Sequence, residues 1–101
     1  MNKVTHWVVP RDHPAFAGHF PGTPILPGVV LLDETLHAMA GAIGIQPDGC
    51  EIASVKFLSP AKPGDALEIR HDCQTTGAVR FDIAAGTRKI ASGTIVPRSR
   101  G

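Results

Sequence analysis

Residues 18–42 read GHFPGTPILPGVVLLDETLHAMAGA, and this stretch decides the fold. Its first half carries Pro21, Gly22, Pro24, Pro27 and Gly28, which no helix or strand tolerates together. Proline fixes φ and glycine permits φ > 0, so the segment is a shaped loop rather than a slack one. The punctuation stops after Gly28 and the run Val29-Val30-Leu31-Leu32 begins. A helix is expected from about Pro27 or Gly28 to about Ile43. Its apolar positions go nearly all the way round, which predicts a helix buried on every side, with a sheet wrapped about it. Asp33 interrupts the apolar run, 14 residues after His19 in the loop. A buried helix has little use for a carboxylate there unless chemistry needs it.

His19 and Asp33 form a candidate base and acid. Neutral histidine takes a proton readily near pH 7. A carboxyl group in apolar surroundings has a raised pKa and keeps its proton, so it can act as an acid. Facing one small substrate, the two can remove H from one carbon and OH from the next. Gly28 adds a third component, because the first N–H groups of a helix lack intrahelical partners. Such a donor can hold a carbonyl oxygen and stabilise enolate-like charge, and a residue without Cβ lets that oxygen come close. Asp33 lies five residues further, about 7.5 Å along the axis. That separation suits a thioester carbonyl and a β-hydroxyl.

The rest of the chain predicts strands. Val4–Val9 (VTHWVV) is β-branched and aromatic and ends at Pro10. Phe16 and Phe20 are expected to anchor the loop to the core. Gly41 and Gly44 loosen the end of the helix, and Gln46-Pro47-Asp48-Gly49 stops it. Strands are then expected at Glu51–Leu58, Ala66–Gln74, Val79–Ala85 and Lys89–Val96. The second of these should put Leu67, Ile69, His71 and Cys73 on one face, and the third Val79, Phe81 and Ile83 inward. Thr75-Thr76-Gly77 and Gly86-Thr87-Arg88 read as turns, and residues 98–101 as a frayed basic tail. One buried helix followed by antiparallel strands makes a single α+β domain over residues 1–101.

Composition narrows the function. The net charge is +1 and tyrosine is absent, which gives no case for nucleic acid or an anionic membrane. No signal-peptide pattern opens the chain, and Asp33, Glu34 and His37 break the longest apolar run, so a cytoplasmic protein is expected. Cys50 and Cys73 lack CxxC spacing and read as reduced core thiols. His6, His13 and His71 show no metal spacing, and no metal site is expected.

The motifs Gly18-His19-Phe20-Pro21, then Pro24-Ile25-Leu26-Pro27-Gly28-Val29, then Asp33 on the helix resemble the β-hydroxyacyl-acyl-carrier-protein dehydratases of the FabA/FabZ family. Val55-Lys56-Phe57 followed by Pro60 and Pro63-Gly64-Asp65 is similar to that family's strand and break. The resemblance covers roughly residues 4 to 96. It implies a hotdog fold, an antiparallel β-sheet wrapped around one long central helix. It further implies a dimer, His19 and Asp33 being contributed to one site by different subunits, and a substrate carried on phosphopantetheine of an acyl carrier protein or on coenzyme A. No metal or redox cofactor is implied. The expected reaction is dehydration of a (3R)-hydroxyacyl thioester to a trans-2-enoyl thioester, in fatty-acid, polyene or polyketide-type synthesis. The acid is Asp, as in the FabA branch, and His37 stands where the family often has Gln. The N-terminal segment of longer members is missing, as expected of a minimal single-hotdog member.

Candidate substrate contacts are Gly28 through its backbone N–H, Phe20, Pro27, His37 and Phe57. Each has a plainer alternative. Gly28 can serve simply as a helix-entry glycine, and the phenylalanines as core. His37, four residues after Asp33 on the same helix face, can orient the carboxylate or be merely structural. Glu34, rotated about 100° from Asp33, should face solvent or a polar edge. Lys56, Lys62, Arg88, Lys89, Arg98 and Arg100 can meet an acidic carrier protein, or form a solvated basic surface. The competing functions are a hotdog acyl thioesterase and a non-catalytic dehydratase-like partner subunit, possibly in a hetero-oligomer.

Overall fold

The computed structural model describes residues 2–13, 25–44 and 49–97. Its elements are β1 (Asn2–Val8), α1 (Gly28–Ile43), β2 (Cys50–Phe57), β3 (Ala66–Cys73), β4 (Val79–Ala85) and β5 (Arg88–Pro97). The strands form one antiparallel sheet in the order β1-β3-β4-β5-β2. Consecutive β3, β4 and β5 are joined by tight turns, in which Gly77 (φ 92) and Gly86 (φ 62) take the left-handed conformation that side chains resist. The expected α+β class and the element order hold, with ends shifted by at most two residues. The helix ends at Ile43. Gly44 (φ 74) follows it and donates its N–H to the Ala40 carbonyl at 2.8 Å, a left-handed C-terminal cap. Residues 46–48 of the expected stop, like Phe16 and Phe20, lie outside the described residues.

Register shows how the sheet separates its two faces. Opposite residues of antiparallel strands share a face. Thr5, Ile69, Ile83, Ala91 and Phe57 form one row across all five strands, and Lys3, His71, Phe81, Gly93 and Val55 the next. Ile69, Ile83, Ala91, His71 and Phe81 in these rows are buried, and α1 packs on this side against β1 and β3. The alternate row runs Val4, Arg70, Asp82, Ser92 and Lys56 and faces solvent.

Two expectations fail. The helix is not covered all round. Leu31, Leu32, Thr35, Met39 and Ala40 are buried, while Val29 is 80 % exposed and Asp33, His37 and Gly41 are also exposed. A sheet can cover one side of a helix. The residues at 29, 33, 37 and 41 recur every four positions and so share the opposite side. Nor are the cysteines core thiols. Cys73 is exposed at the end of β3 and Cys50 is half-buried at the start of β2. Both occupy strand termini, and Cys50 packs against the edge of the core cluster. Burial pushes the Cys50 thiol above its ordinary pKa.

The break between β2 and β3 is a structured clip. Val9 donates to the Asp65 carbonyl at 2.9 Å and accepts from the Gly64 N–H at 2.8 Å. The Asp65 carboxylate accepts from the Lys62 N–H at 2.8 Å and from the Arg88 guanidinium, which also reaches the Pro60 carbonyl at 3.4 Å. Lys62 and Arg88, read from the sequence as possible docking charges, take part in holding this loop.

Two stability predictions follow from the packing. A Cβ on Gly93 would lie 2.5 Å from the Ser54 carbonyl oxygen and 2.8 Å from Phe81 Cζ. Gly93→Ala should therefore cost about 1–3 kcal/mol, read as a lower denaturation midpoint at unchanged m-value. His71 is buried with its Nε2 2.9 Å from Thr5 Oγ1, and burial, with a smaller contribution from Lys3, lowers its pKa from 6.5. The unfolded chain then binds the extra proton first, so stability should fall as pH drops below about 6.5. Urea titrations at pH 7.5 and 5.5 should show that loss in wild type and a smaller one in His71→Gln.

Candidate active site

The helix entrance is fixed by backbone bonds. Leu26 donates its N–H to the Ala61 carbonyl at 2.8 Å, an isolated bridge tying the approach of α1 to the clip. Pro27 then takes an extended conformation (φ −57, ψ 144), and its carbonyl accepts the first helical bond from the Leu31 N–H at 3.0 Å. Pro27 has no side-chain acceptor, and the first turn contains no acid. The N–H groups of Gly28, Val29 and Val30 are thus left without intrahelical partners at the positive end of the helix.

Gly28 and Val29 border a cleft of about 770 Å³ lined by Ile25–Val29, Leu31 and Phe57–Ala61. Among the described residues Ser59 is the one with a polar side chain in the wall, so the cleft suits an aliphatic or otherwise apolar group. Phe57, on the last position of β2, is 49 % exposed and lays its ring against the helix entrance. A Cβ on Gly28 would stand 2.8 Å from Phe57 Cζ. A side chain here would have to displace the Phe57 ring, and the lack of one leaves the Gly28 amide accessible. Phe57 is therefore a cleft residue, not a core one, whereas Phe81 is core. Of the wall formed by Leu58–Ala61, Leu58 was expected as the end of a strand and Ser59–Ala61 only as part of the break after it.

Asp33 belongs to a different surface. It is five residues from Gly28, about 140° round the helix, and does not line the cleft. Its side chain is 65 % exposed, so the described residues of this chain do not supply the apolar surroundings expected for it. His37 lies against it. The His37 Nδ1–H donates to the Asp33 backbone carbonyl at 2.8 Å, and the same nitrogen is 3.6 Å from Asp33 Oδ1. Glu34 turns aside toward His13, whose Nε2 is 3.9 Å from its carboxylate. The structure thus brings Pro27, Gly28 and Phe57 together, and Asp33 and His37 together. His19 and Phe20 lie outside the described residues. Among the described residues no three His, Cys, Asp or Glu side chains gather as metal ligands do, and no helix is long and apolar enough to cross a membrane.

Known proteins resemble this chain in sequence and in fold. The ApeI-like family profile, described as ApeI dehydratase, matches residues 2–94. The 3-hydroxyacyl-[acyl-carrier-protein] dehydratase FabZ of Chlamydia trachomatis is 38 % identical over 97 residues, which span 83 % of this chain and 63 % of that protein. The chain thus spans less than two-thirds of the length of that curated relative. The dehydratase heterocomplex ApeI:P from Xenorhabdus doucetiae superposes with a TM-score of 0.76 at 25 % identity, over 96 % of this chain and 88 % of that one. The fluoroacetyl-CoA thioesterase FlK superposes at 0.70 with 18 % identity, over 94 % and 82 % of the two chains, a likeness of fold alone. By sequence and by structure, the chain belongs to the ApeI-like dehydratase family and has the hotdog fold.

Proposed function

We propose that this chain is a (3R)-hydroxyacyl thioester dehydratase. The observation that carries the reading is the uncapped N-terminus of α1, opening beside Gly28 onto an apolar cleft within a dehydratase-family chain. The acyl thioester is held on a phosphopantetheine arm, of acyl carrier protein or of coenzyme A. Its carbonyl oxygen accepts a hydrogen bond from the Gly28 N–H, and the apolar part of the substrate lies along Pro27 and Phe57. Neutral His19 removes the α-proton, and the Gly28 amide stabilises the enolate-like oxygen that results. The enolate collapses, the β-carbon–oxygen bond breaks, and the Asp33 carboxyl delivers its proton to the departing hydroxyl. Water and a trans-2-enoyl thioester leave, with His19 protonated and Asp33 ionised. Proton return through solvent resets both groups.

Asp33 needs a drier environment than one chain supplies, and two features of β2 support a second copy as the source. β2 is an edge strand whose helix-side residues Ile52 and Phe57 are 43 % and 49 % exposed. Its register shift between Ile52 and Ser54 puts Cys50, Ile52, Val55 and Phe57 on the helix side and Glu51, Ser54 and Lys56 on the other. If two β2 strands pair antiparallel with Ala53 opposite Ser54, the helix-side residues meet one another, Cys50 opposite Phe57 and Ile52 opposite Val55. Glu51 meets Lys56 of the partner subunit, and the contact occurs twice. Covering the Val29–Asp33–His37 stripe would desolvate the carboxyl and favour its protonated form.

A partner-subunit role is the second reading, favoured by the similar chain being found in a heterocomplex. A thioesterase would instead release free thiol. The deciding assay is hydration of a short trans-2-enoyl thioester, followed by loss of enoyl absorbance, on carrier-protein and coenzyme A substrates. Wild type should be active, and His19→Ala and Asp33→Asn should each lose about 10²–10⁴-fold while folded. A folded wild type inactive on both substrates would overturn the dehydratase reading. For the interface, sedimentation velocity should show a wild-type dimer, weakened in Lys56→Glu and restored in the Glu51→Lys/Lys56→Glu double variant. An unaffected Lys56→Glu dimer would rule out this register.

A further inference from the structure

The cleft beside Gly28 offers donors at one edge and an acceptor in another part of its wall. The donors are the uncapped amides of Gly28 and Val29 at the helix start. Along residues 58–61 the main chain is engaged elsewhere. Leu58 and Ser59 both donate their N–H groups to the Ile90 carbonyl, at 2.8 and 3.2 Å. The Ala61 carbonyl accepts from Leu26 at 2.8 Å, and the Pro60 carbonyl accepts from the Arg88 guanidinium at 3.4 Å. Pro60 has no N–H to give. The Ser59 hydroxyl donates to the Lys89 carbonyl at 2.8 Å, a group that can only accept. Its hydrogen is thereby committed, and Oγ keeps lone pairs alone. The other described side chains lining the cleft are apolar. A ligand group that meets Ser59 in this wall therefore has to bring its own N–H or O–H.

We propose that Ser59 is a specificity-determining residue, its Oγ accepting a hydrogen bond from the amide N–H that follows the thioester sulfur in a phosphopantetheine arm. The proposal rests on the dehydratase reading, which puts the thioester carbonyl on the Gly28 N–H. In such an arm the sulfur is followed by two methylene groups and then by an amide nitrogen. Phe57 packs on Gly28, and Ser59 is two residues further along the chain, at most about 7 Å away. A thioester carbonyl, its sulfur, two methylenes and an N–H span a distance of that order. The methylenes lie against the apolar wall in between. A saturated acyl tail brings no donor, so it gains nothing from Ser59 and displaces water from its oxygen. The contact thus orients the substrate, with its arm rather than its tail against Ser59. It does not depend on charge at the reacting carbons, so it acts on binding rather than on the chemical step.

A matched pair of saturated thioesters tests this on the full chain. S-butanoyl-N-acetylcysteamine carries the amide, and its S-(2-acetoxyethyl) counterpart has an ester oxygen in place of the N–H. Neither has a β-hydroxyl or a double bond, so NMR titration reads binding without turnover. Wild type should bind the amide about 5–10-fold more tightly than the ester, and Ser59→Ala should bind the two within about two-fold of each other. Ser59 lies outside the strands and the helix, so the variant should fold. Equal binding of both thioesters by wild type would overturn the proposal without any variant. A preference for the amide that survives in Ser59→Ala would also overturn it, by showing a different acceptor. The amide is common to acyl carrier protein and coenzyme A, and hydration of the trans-2-butenoyl thioester of each identifies the carrier by its lower KM in wild type. On that carrier Ser59→Ala should raise KM about 5–10-fold with kcat within about two-fold, and an unchanged KM would count against the contact. A wild type that is inactive yet prefers the amide would defeat the dehydratase reading and support the arm contact.

Discussion

Helix α1 carries more apolar surface than one five-stranded sheet can cover, and the rest of the molecule is arranged around that excess. Leu31, Leu32 and Met39 join one core cluster with buried side chains of β3, β4 and β5. Val29 cannot follow them, because it lies on the far side of the same helix. Burial of apolar area drives folding, so a helix with apolar residues on two sides invites a second surface. The exposed apolar residues Ile52 and Phe57 on edge strand β2 belong to the same problem. The stripe that stays open in one chain is also the stripe that carries Asp33 and His37. Core packing and the placement of the candidate acid are thus two consequences of one geometry.

The helix entrance is held with corresponding care. Its position depends on Leu26 bonding Ala61, on the clip that Val9, Asp65 and Arg88 make behind it, and on Phe57 resting against Gly28. Without a capping side chain, the terminal amides keep their hydrogen-bonding capacity for something else. A cap contributes about 1 kcal/mol to a typical helix. Its omission next to an apolar cleft fits a site that trades local stability for an available donor. Ser, Asp or Asn at position 27 would satisfy the helix and compete with a substrate oxygen.

Sequence was most informative where one physical rule acted alone. Val79–Ala85 alternates strictly, so its strand limits and its inward Val79, Phe81 and Ile83 followed directly. The helix start followed from Pro27 and Gly28. Its end was anticipated at about Ile43 with the stop placed at residues 46–49, whereas Gly44 itself forms the cap, in a left-handed conformation that a residue without Cβ adopts cheaply. Sequence misled where burial depended on neighbours distant in the chain. Cys73 continues the alternation of Leu67, Ile69 and His71, yet it is the last residue of its strand and is exposed. Phe57 was a candidate substrate contact with core as its plainer alternative, and its place on an edge strand, where a residue has a neighbour on one side only, decides between the two.

The sequence by itself determined the fold class, the order of elements, the family resemblance, and the identity of the residues able to take and give protons. Those depend on local backbone preference, on periodicity, and on an ordered motif. The tertiary structure alone decided which helix face stays uncovered, that Asp33 stands apart from the Gly28 cleft within one chain, and that Phe57 lines that cleft. It also decided that the His37 Nδ1–H engages the Asp33 backbone. These are matters of strand order and helix rotation, set by which surfaces meet across the whole chain, and no window of sequence contains them.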